Sequence, residues 1–205
     1  MGRFKVKKQD MFIDMTPMSD VMVLLLTFFM LTATFVKDEP VKVNTPGSVS
    51  EIKIPEKNLL TIFVSPGGKV FMNMDSPGNM QKLAQQMVAE DRMSLNAAEM
   101  KTFTEVPMFG TSLSVINGWL GAENRNSMLT SNDKNVGIPC DSINDELKVW
   151  VKAARTALGE GDKMRIAIKA DKNTPYLVIK NVMNSLRDID ENRYNLITAL
   201  AGEDK

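Results

Sequence analysis

The chain contains no histidine and a single cysteine, Cys140. Without histidine, Ser-His-Asp and Cys-His catalysis and most zinc sites are excluded. With one cysteine no internal disulfide can form; in an oxidising compartment Cys140 could pair between two chains, but a lone buried thiol is its commoner state. Net charge is also absent. The 25 basic residues are matched by 25 acidic ones, so nothing points to nucleic acid. No Gly-rich loop leads into Lys-Ser/Thr to cradle a phosphate. No convergent nucleophile, base or metal set appears, so neither an enzyme nor an organic or metal cofactor is expected. Internal repeats of solenoid type are missing as well.

One apolar run does reach membrane length, Thr16 to Val36. As a helix it rises about 30 Å, which matches a single bilayer crossing. Before it lie Arg3, Lys5, Lys7 and Lys8 against Asp10 and Asp14; after it, Lys37-Asp38-Glu39-Pro40 is mixed. The basic excess therefore makes residues 1–15 a cytoplasmic tail and puts the C-terminal part outside. A cleaved secretory signal is the competing reading. Pro17 and Asp20 at the head of the run, and the lack of a clean small-x-small site, argue against it.

Asp20 is the anomaly in this run. A charged carboxylate in hydrocarbon costs roughly 3 kcal/mol on insertion scales, which a simple anchor has no reason to accept. Thr16 lies one turn before it. Thr27 and Thr34 lie seven and fourteen positions on, within about 20–40° of Asp20 around the axis. The four make a polar stripe opposite Val, Leu, Phe and Met. Such a stripe is useful when the helix packs inside a protein collar, where hydroxyls bond across helices and line wet paths; alternatively the threonines satisfy their own backbone carbonyls. Apolar surroundings favour the neutral carboxyl and contact with water the charged one. Asp20 is thus expected to carry a proton, with protons as the coupling ion.

Beyond the run, residues 37–58 hold Pro40, Pro46, Gly47 and Pro55 without amphipathic period and read as a flexible linker. Val41-Lys42-Val43-Asn44 alternates weakly, as a short strand would. Leu59–Val64 and Lys69–Asn73, joined by Ser65-Pro66-Gly67-Gly68, predict a β-hairpin. Residues 78–90 predict a helix with Met80, Leu83, Ala84, Met87 and Val88 on one face. Two short helices are expected over 94–120. The first is capped by Ser94, with Leu95, Ala98 and Phe103 inward; the second, near Thr111 to Leu120, packs Leu113, Ile116, Trp119 and Leu120. Residues 121–141 read as loop. Ser142 to Leu158 predicts a helix stopped by Gly159. Met164–Ala170 alternates as a half-buried strand, Pro175 starts a helix through Ile189, and Tyr194–Leu200 is the last strand. The order implies an α+β fold, a small sheet with helices packed on one face, over residues 59–205.

Thr16-Pro17-x-x-Asp20-Val21-Met22, with the Leu-rich run and Phe29-Met30, resembles the membrane motif of the ExbD/TolR family. Lys169-Ala170-Asp171-Lys172-Asn173-Thr174-Pro175-Tyr176, with Val182-Met183 and Leu186, is similar to a periplasmic segment of that family, and Val41–Asn44 to the stretch past its membrane helix. Relative to the short members, residues 76–141 are a helical, Met-rich insertion. The resemblance implies a single-pass protein of the bacterial inner membrane with a periplasmic C-terminal domain. It implies a homodimer inside an ExbB-like pentamer, with proton passage at Asp20 driving motion that a TonB-like protein delivers to outer-membrane transport. Thr16 and Pro17 would shape the helix start. The alternative is a TolR-like envelope-integrity subunit that touches peptidoglycan. Asp171, Lys172 and Tyr176 match the periplasmic motif in structural roles: Asp171 capping the helix near Pro175, Tyr176 packing on the preceding strand.

Overall fold

Apolar β-branched and aromatic runs alternate with turn residues and 3.6-period segments, and each becomes a strand or helix accordingly. The computed structural model describes residues 15–33, 40–41, 43–48, 57–131, 133, 135–141, 144–159, 164–197 and 199–200. In chain order the elements are α1 (Thr16–Thr32), β1 (Gly47–Ser48), β2 (Leu59–Val64), β3 (Val70–Met74), α2 (Pro77–Ala89), α3 (Ala97–Glu105), α4 (Ile116–Gly121), α5 (Arg125–Thr130), α6 (Glu146–Leu158), β4 (Arg165–Ala170), α7 (Tyr176–Arg187), β5 (Tyr194–Ile197) and β6 (Ala199–Leu200). They fall into two units, residues 1–37 and 38–205.

The first unit contains α1, 17 residues long. Pro17 lies in its first turn, where a missing N–H leaves no helical bond unmade. Ala33 leaves the helix at ψ 98°. The helix is therefore shorter than the expected span to Val36, and residues 34–36, Thr34 included, lie outside the described residues. Among the described residues no helix is long and apolar enough to cross a membrane.

The second unit is mixed α and β, built on a four-stranded sheet of order β3-β2-β4-β5. β2 and β3 form the expected antiparallel hairpin, Ile62 opposite Met72, while β4 runs parallel to β2 and β5 parallel to β4. The two-residue period puts Leu60, Ile62, Val64, Val70, Met72, Met74, Ile166, Ile168 and Ala170 on one face, every one of them buried. The opposite face is mixed: Thr61, Asn73 and Lys169 are half-buried, and the Lys169 ammonium lies 5.2 Å from the Phe63 ring centroid. The helices contribute Met80, Leu83, Met87, Leu147, Trp150, Val151, Val182 and Leu186 to the same core. At its centre the Phe109 ring lies 4.9 Å from that of Phe103 and 4.7 Å from that of Trp150.

Several boundaries differ from the sequence expectations. Ser94 does not cap α3; Asn96 precedes it and donates its N–H to Glu99 Oε2 at 2.8 Å. The helix expected from Thr111 starts only at Ile116, because residues 109–111 are drawn off as extended chain against β3 and Val136. The expected loop 121–141 contains α5. Its start at Arg125 is fixed by a side chain that folds back to donate to the carbonyls of Leu120 (3.0 Å) and Ala122 (2.9 Å). α6 begins at Glu146, where Asp145 accepts from Lys148 N–H. The expected last strand is two: β5 pairs with β4, and β6 pairs in parallel with β1. Part of the segment read as a linker is consequently docked. Val41 is in the core, Val43 packs against it, and the strand lies at Gly47–Ser48 and not at 41–44.

Candidate functional site

Asp20 is the fifth residue of α1 and is exposed, as is every other residue of that helix within this chain. Its apolar neighbours are strongly exposed too, from Val23 at 56% to Leu31 at 87%. Outside the polar stripe, so many exposed Val, Leu, Phe and Met side chains on one helix mark a surface suited to being covered by lipid or by other helices. Twelve residues, about 18 Å of helix, follow Asp20 to Thr32. Thr16 starts the helix one turn before it. Thr27 Oγ1 donates to Leu24 O at 2.9 Å, and the off-stripe hydroxyls of Ser19 and Thr32 bond back to Met15 O and Phe28 O. These are intrahelical bonds, the locally satisfied state for hydroxyls on a lone helix.

The second motif sits at the C-terminal end of β4, far from α1 in sequence. Asp171 is 4% exposed. It does not cap α7, since neither of its oxygens is bonded to an amide of that helix. Its Oδ1 accepts from Asn173 N–H at 2.9 Å and its Oδ2 from Asn44 N–H at 2.8 Å, while Lys172 N–H donates to Asn44 O at 2.9 Å. The amides of Asn173 and Asn44, aided by the nearby Lys172 charge and opposed by burial, hold the Asp171 carboxyl below the ordinary carboxylate range. Thr174 Oγ1 adds bonds to Val64 O and Ser65 O at 3.3 and 3.2 Å. The motif is a clamp: one carboxylate and two amides tie the segment after α1 to the sheet. Tyr176 is 72% exposed and does not pack on the strand; Leu177 beside it is 68% exposed. Helical geometry explains this, because Val182, Ser185 and Leu186 turn the other face of α7 inward.

Sequence reasoning did not single out Asn44, since its partner lies 127 positions away. It also missed the α6–α7 seam. There Asp145 accepts from Ser185 Oγ at 2.7 Å, and Lys148 bridges Asp145 and Asp188 at 3.1 and 2.8 Å. Hydrogen bonding to Asp188, then to Asp145, raises the Lys148 pKa, and the Lys148 ammonium lowers that of Asp188. Cys140 lies against this seam, half-buried, its thiol pushed up to about 11 by burial and then by Asp141 and Asp145. On the far end of α6, Arg155 makes a two-pronged bridge to Glu191.

No curated protein and no solved structure matches the chain. Residues 7–104 match the model of a family described as biopolymer transport protein ExbD/TolR, a stretch that takes in Asp20, Thr27, Asn44 and the β2–β3 hairpin and ends before Asp171. That match spans the acidic apolar helix and the strands beyond it, and identifies residues 7–104 of the chain with the ExbD/TolR family.

Proposed function

We propose that this chain is the membrane-anchored, proton-coupled subunit of an ExbB-ExbD-TonB-type motor of the bacterial inner membrane. The observation that carries the proposal is Asp20, the one ionisable group of a predominantly apolar, exposed helix within the family-matched residues. The apolar run from Thr16 enters the bilayer with the N-terminus cytoplasmic. A pair of α1 helices sits inside a collar of ExbB-like subunits. Asp20 takes up a proton and turns among apolar side chains as the neutral acid, then releases it where hydroxyls and water meet it. One charge crossing 100 mV supplies about 2.3 kcal/mol per step. The clamp at Asp171 transmits that motion into the 38–205 unit, which works on a TonB-like protein.

The family description joins ExbD to TolR, and an envelope-integrity role would use the same proton step with a different outer partner. Purification of the tagged full chain from native membranes separates the two. An ExbB-like and a TonB-like protein should come down together; recovery of Tol-type partners with peptidoglycan fragments assigns the TolR role, and recovery of neither refutes the motor. In a Cys140→Ser background, an impermeant maleimide should label Lys172→Cys and not Lys7→Cys in intact cells. The reverse pattern refutes the orientation.

A further inference from the structure

The 76–141 segment is not an appendage, because part of it is hydrogen-bonded along the outer edge of β3. Met72 N–H donates to Phe109 O at 2.7 Å and Phe109 N–H to Met72 O at 2.9 Å, a closed antiparallel pair. Two residues back along β3, Val70 O accepts from Ile138 N–H at 2.8 Å. Gly137 N–H donates to Gly110 O at 2.7 Å, joining the two covering pieces to each other. Lys69 Nζ clasps the outer piece through the carbonyls of Ser131 (2.6 Å) and Asp133 (3.1 Å). Glu146 holds the inner piece from α6, accepting from Ser112 Oγ at 2.8 Å and Leu113 N–H at 2.7 Å.

The fit depends on two glycines. A Cβ on Gly110 would stand 2.2 Å from Phe71 Cδ1, and one on Gly137, at φ +104°, would stand 3.2 Å from Lys69 Cβ. No side chain separates either covering piece from the hairpin there. Without this cover, β3 would present the outward amide and carbonyl of Met72 and the carbonyl of Val70 along Val-Phe-Met-Asn-Met, a run with no charge and no proline. Such an edge is a template for another strand. It is also self-complementary, since two β3 strands can pair antiparallel about Met72 on a two-fold axis.

We propose that residues 108–111 and 136–138 are a built-in occupant of the β3 edge, which denies that edge to β3 of a second copy of this chain. Both pieces lie outside the family-matched residues 7–104, so the cover belongs to the part of the chain the family description leaves unaccounted for.

The test uses the full-length chain in detergent as an equal mixture of isotopically heavy and light protein, with hydrogen exchange and a lysine cross-linker. Pairing about Met72 puts the two Lys69 residues six positions apart in register, about 20 Å along the strand and within reach of a long-armed reagent. In the wild-type chain the amides of Met72, Phe109 and Ile138 exchange slowly and heavy–light Lys69–Lys69 links stay at background. Gly137→Val and Gly110→Val should release the cover. The Phe109 and Ile138 amides should then exchange at least tenfold faster, α6 amides should stay protected, and heavy–light Lys69 links should rise at least tenfold with protein concentration. Released Phe109 and Ile138 amides with links still at background over a hundredfold concentration range overturn the proposal, as do such links in the wild-type chain. Should the valine variants lose α6 protection as well, the milder Gly137→Ala, judged by the same two readouts, decides between these outcomes.

Discussion

The closest approach in the cover gives a sharp energetic prediction. In Gly110→Ala the new Cβ would meet Phe71 Cδ1 at 2.2 Å, Phe71 Cγ at 2.9 Å and Val70 O at 3.0 Å. Phe71 is only 1% exposed and Val70 O is already bonded to Ile138, so neither can yield cheaply. Overpacking of a filled site costs about 1–3 kcal/mol. If strain is relieved by lifting residue 109 away, two backbone bonds to Met72 are lost, at about 0.5–1.5 kcal/mol each. Lower unfolded-state entropy offsets about 0.4–1 kcal/mol. By either route the expected net loss is about 0.5–2.5 kcal/mol, a melting shift of roughly 1–10 °C for a unit of this size. At Gly118 in α4 an added Cβ would have nothing within 4 Å, so Gly118→Ala should instead stabilise by about 0.5–1 kcal/mol through helix propensity. Urea titration followed by tryptophan emission reads both, because the chain's two tryptophans, Trp119 and Trp150, are buried in this unit. Gly110→Ala at or above wild-type stability would refute the close approach and the cover with it.

Other consequences follow from the clamp, the thiol and the aromatic centre. Asp171 has a depressed folded-state pKa, so its contribution is present above the unfolded value near 4 and is lost as pH falls through the folded one. Protection factors of the Asn44 and Asn173 amides should fall as pH drops through the depressed Asp171 pKa in the wild type, and should be low already at neutral pH in Asp171→Ala; equal protection in that variant at pH 7 contradicts the clamp. With its pKa near 11, Cys140 is about 0.1% thiolate at pH 8, roughly 200-fold less than an ordinary thiol. Iodoacetamide should modify it correspondingly slowly in the native chain and quickly in urea; similar rates in both refute the burial argument. Trp150→Ala, which empties the ring cluster with Phe103 and Phe109, should cost about 3–5 kcal/mol in the same urea assay.

The hairpin, α2, α6, β4 and α7 were legible because each carries its period and its punctuation locally: Ser76 and Pro77 open α2, and Gly159 at φ +72° closes α6. α5 was not, because six residues with one buried side chain, Leu129, make no period, and its start depends on Arg125 reaching back to two carbonyls. Local motif logic also misplaced Asp171. An aspartate before a helix reads as a cap, but the amides of Asn173 and Asn44 claim both of its oxygens. Alternation at Val41–Asn44 suggested a short strand within a linker, whereas Val41 is docked in the core and the pairing strand falls at Gly47–Ser48. Seats at the β3 edge were invisible for the same reason: Phe109, Gly110 and Ile138 act through partners far along the chain. Asp20 required no fold at all, only the cost of an acid in an apolar run.

The proposed motor depends on Asp20 gaining and losing a proton. The most direct measurement is substrate uptake across the outer membrane, dependent on the proton-motive force, in cells whose only copy carries Asp20→Asn. Matched expression and unchanged co-purification of the membrane partners are the controls. Full assembly with uptake abolished is the predicted result, because asparagine fills the same space and cannot ionise. Uptake at the wild-type rate in that strain would contradict the proton step.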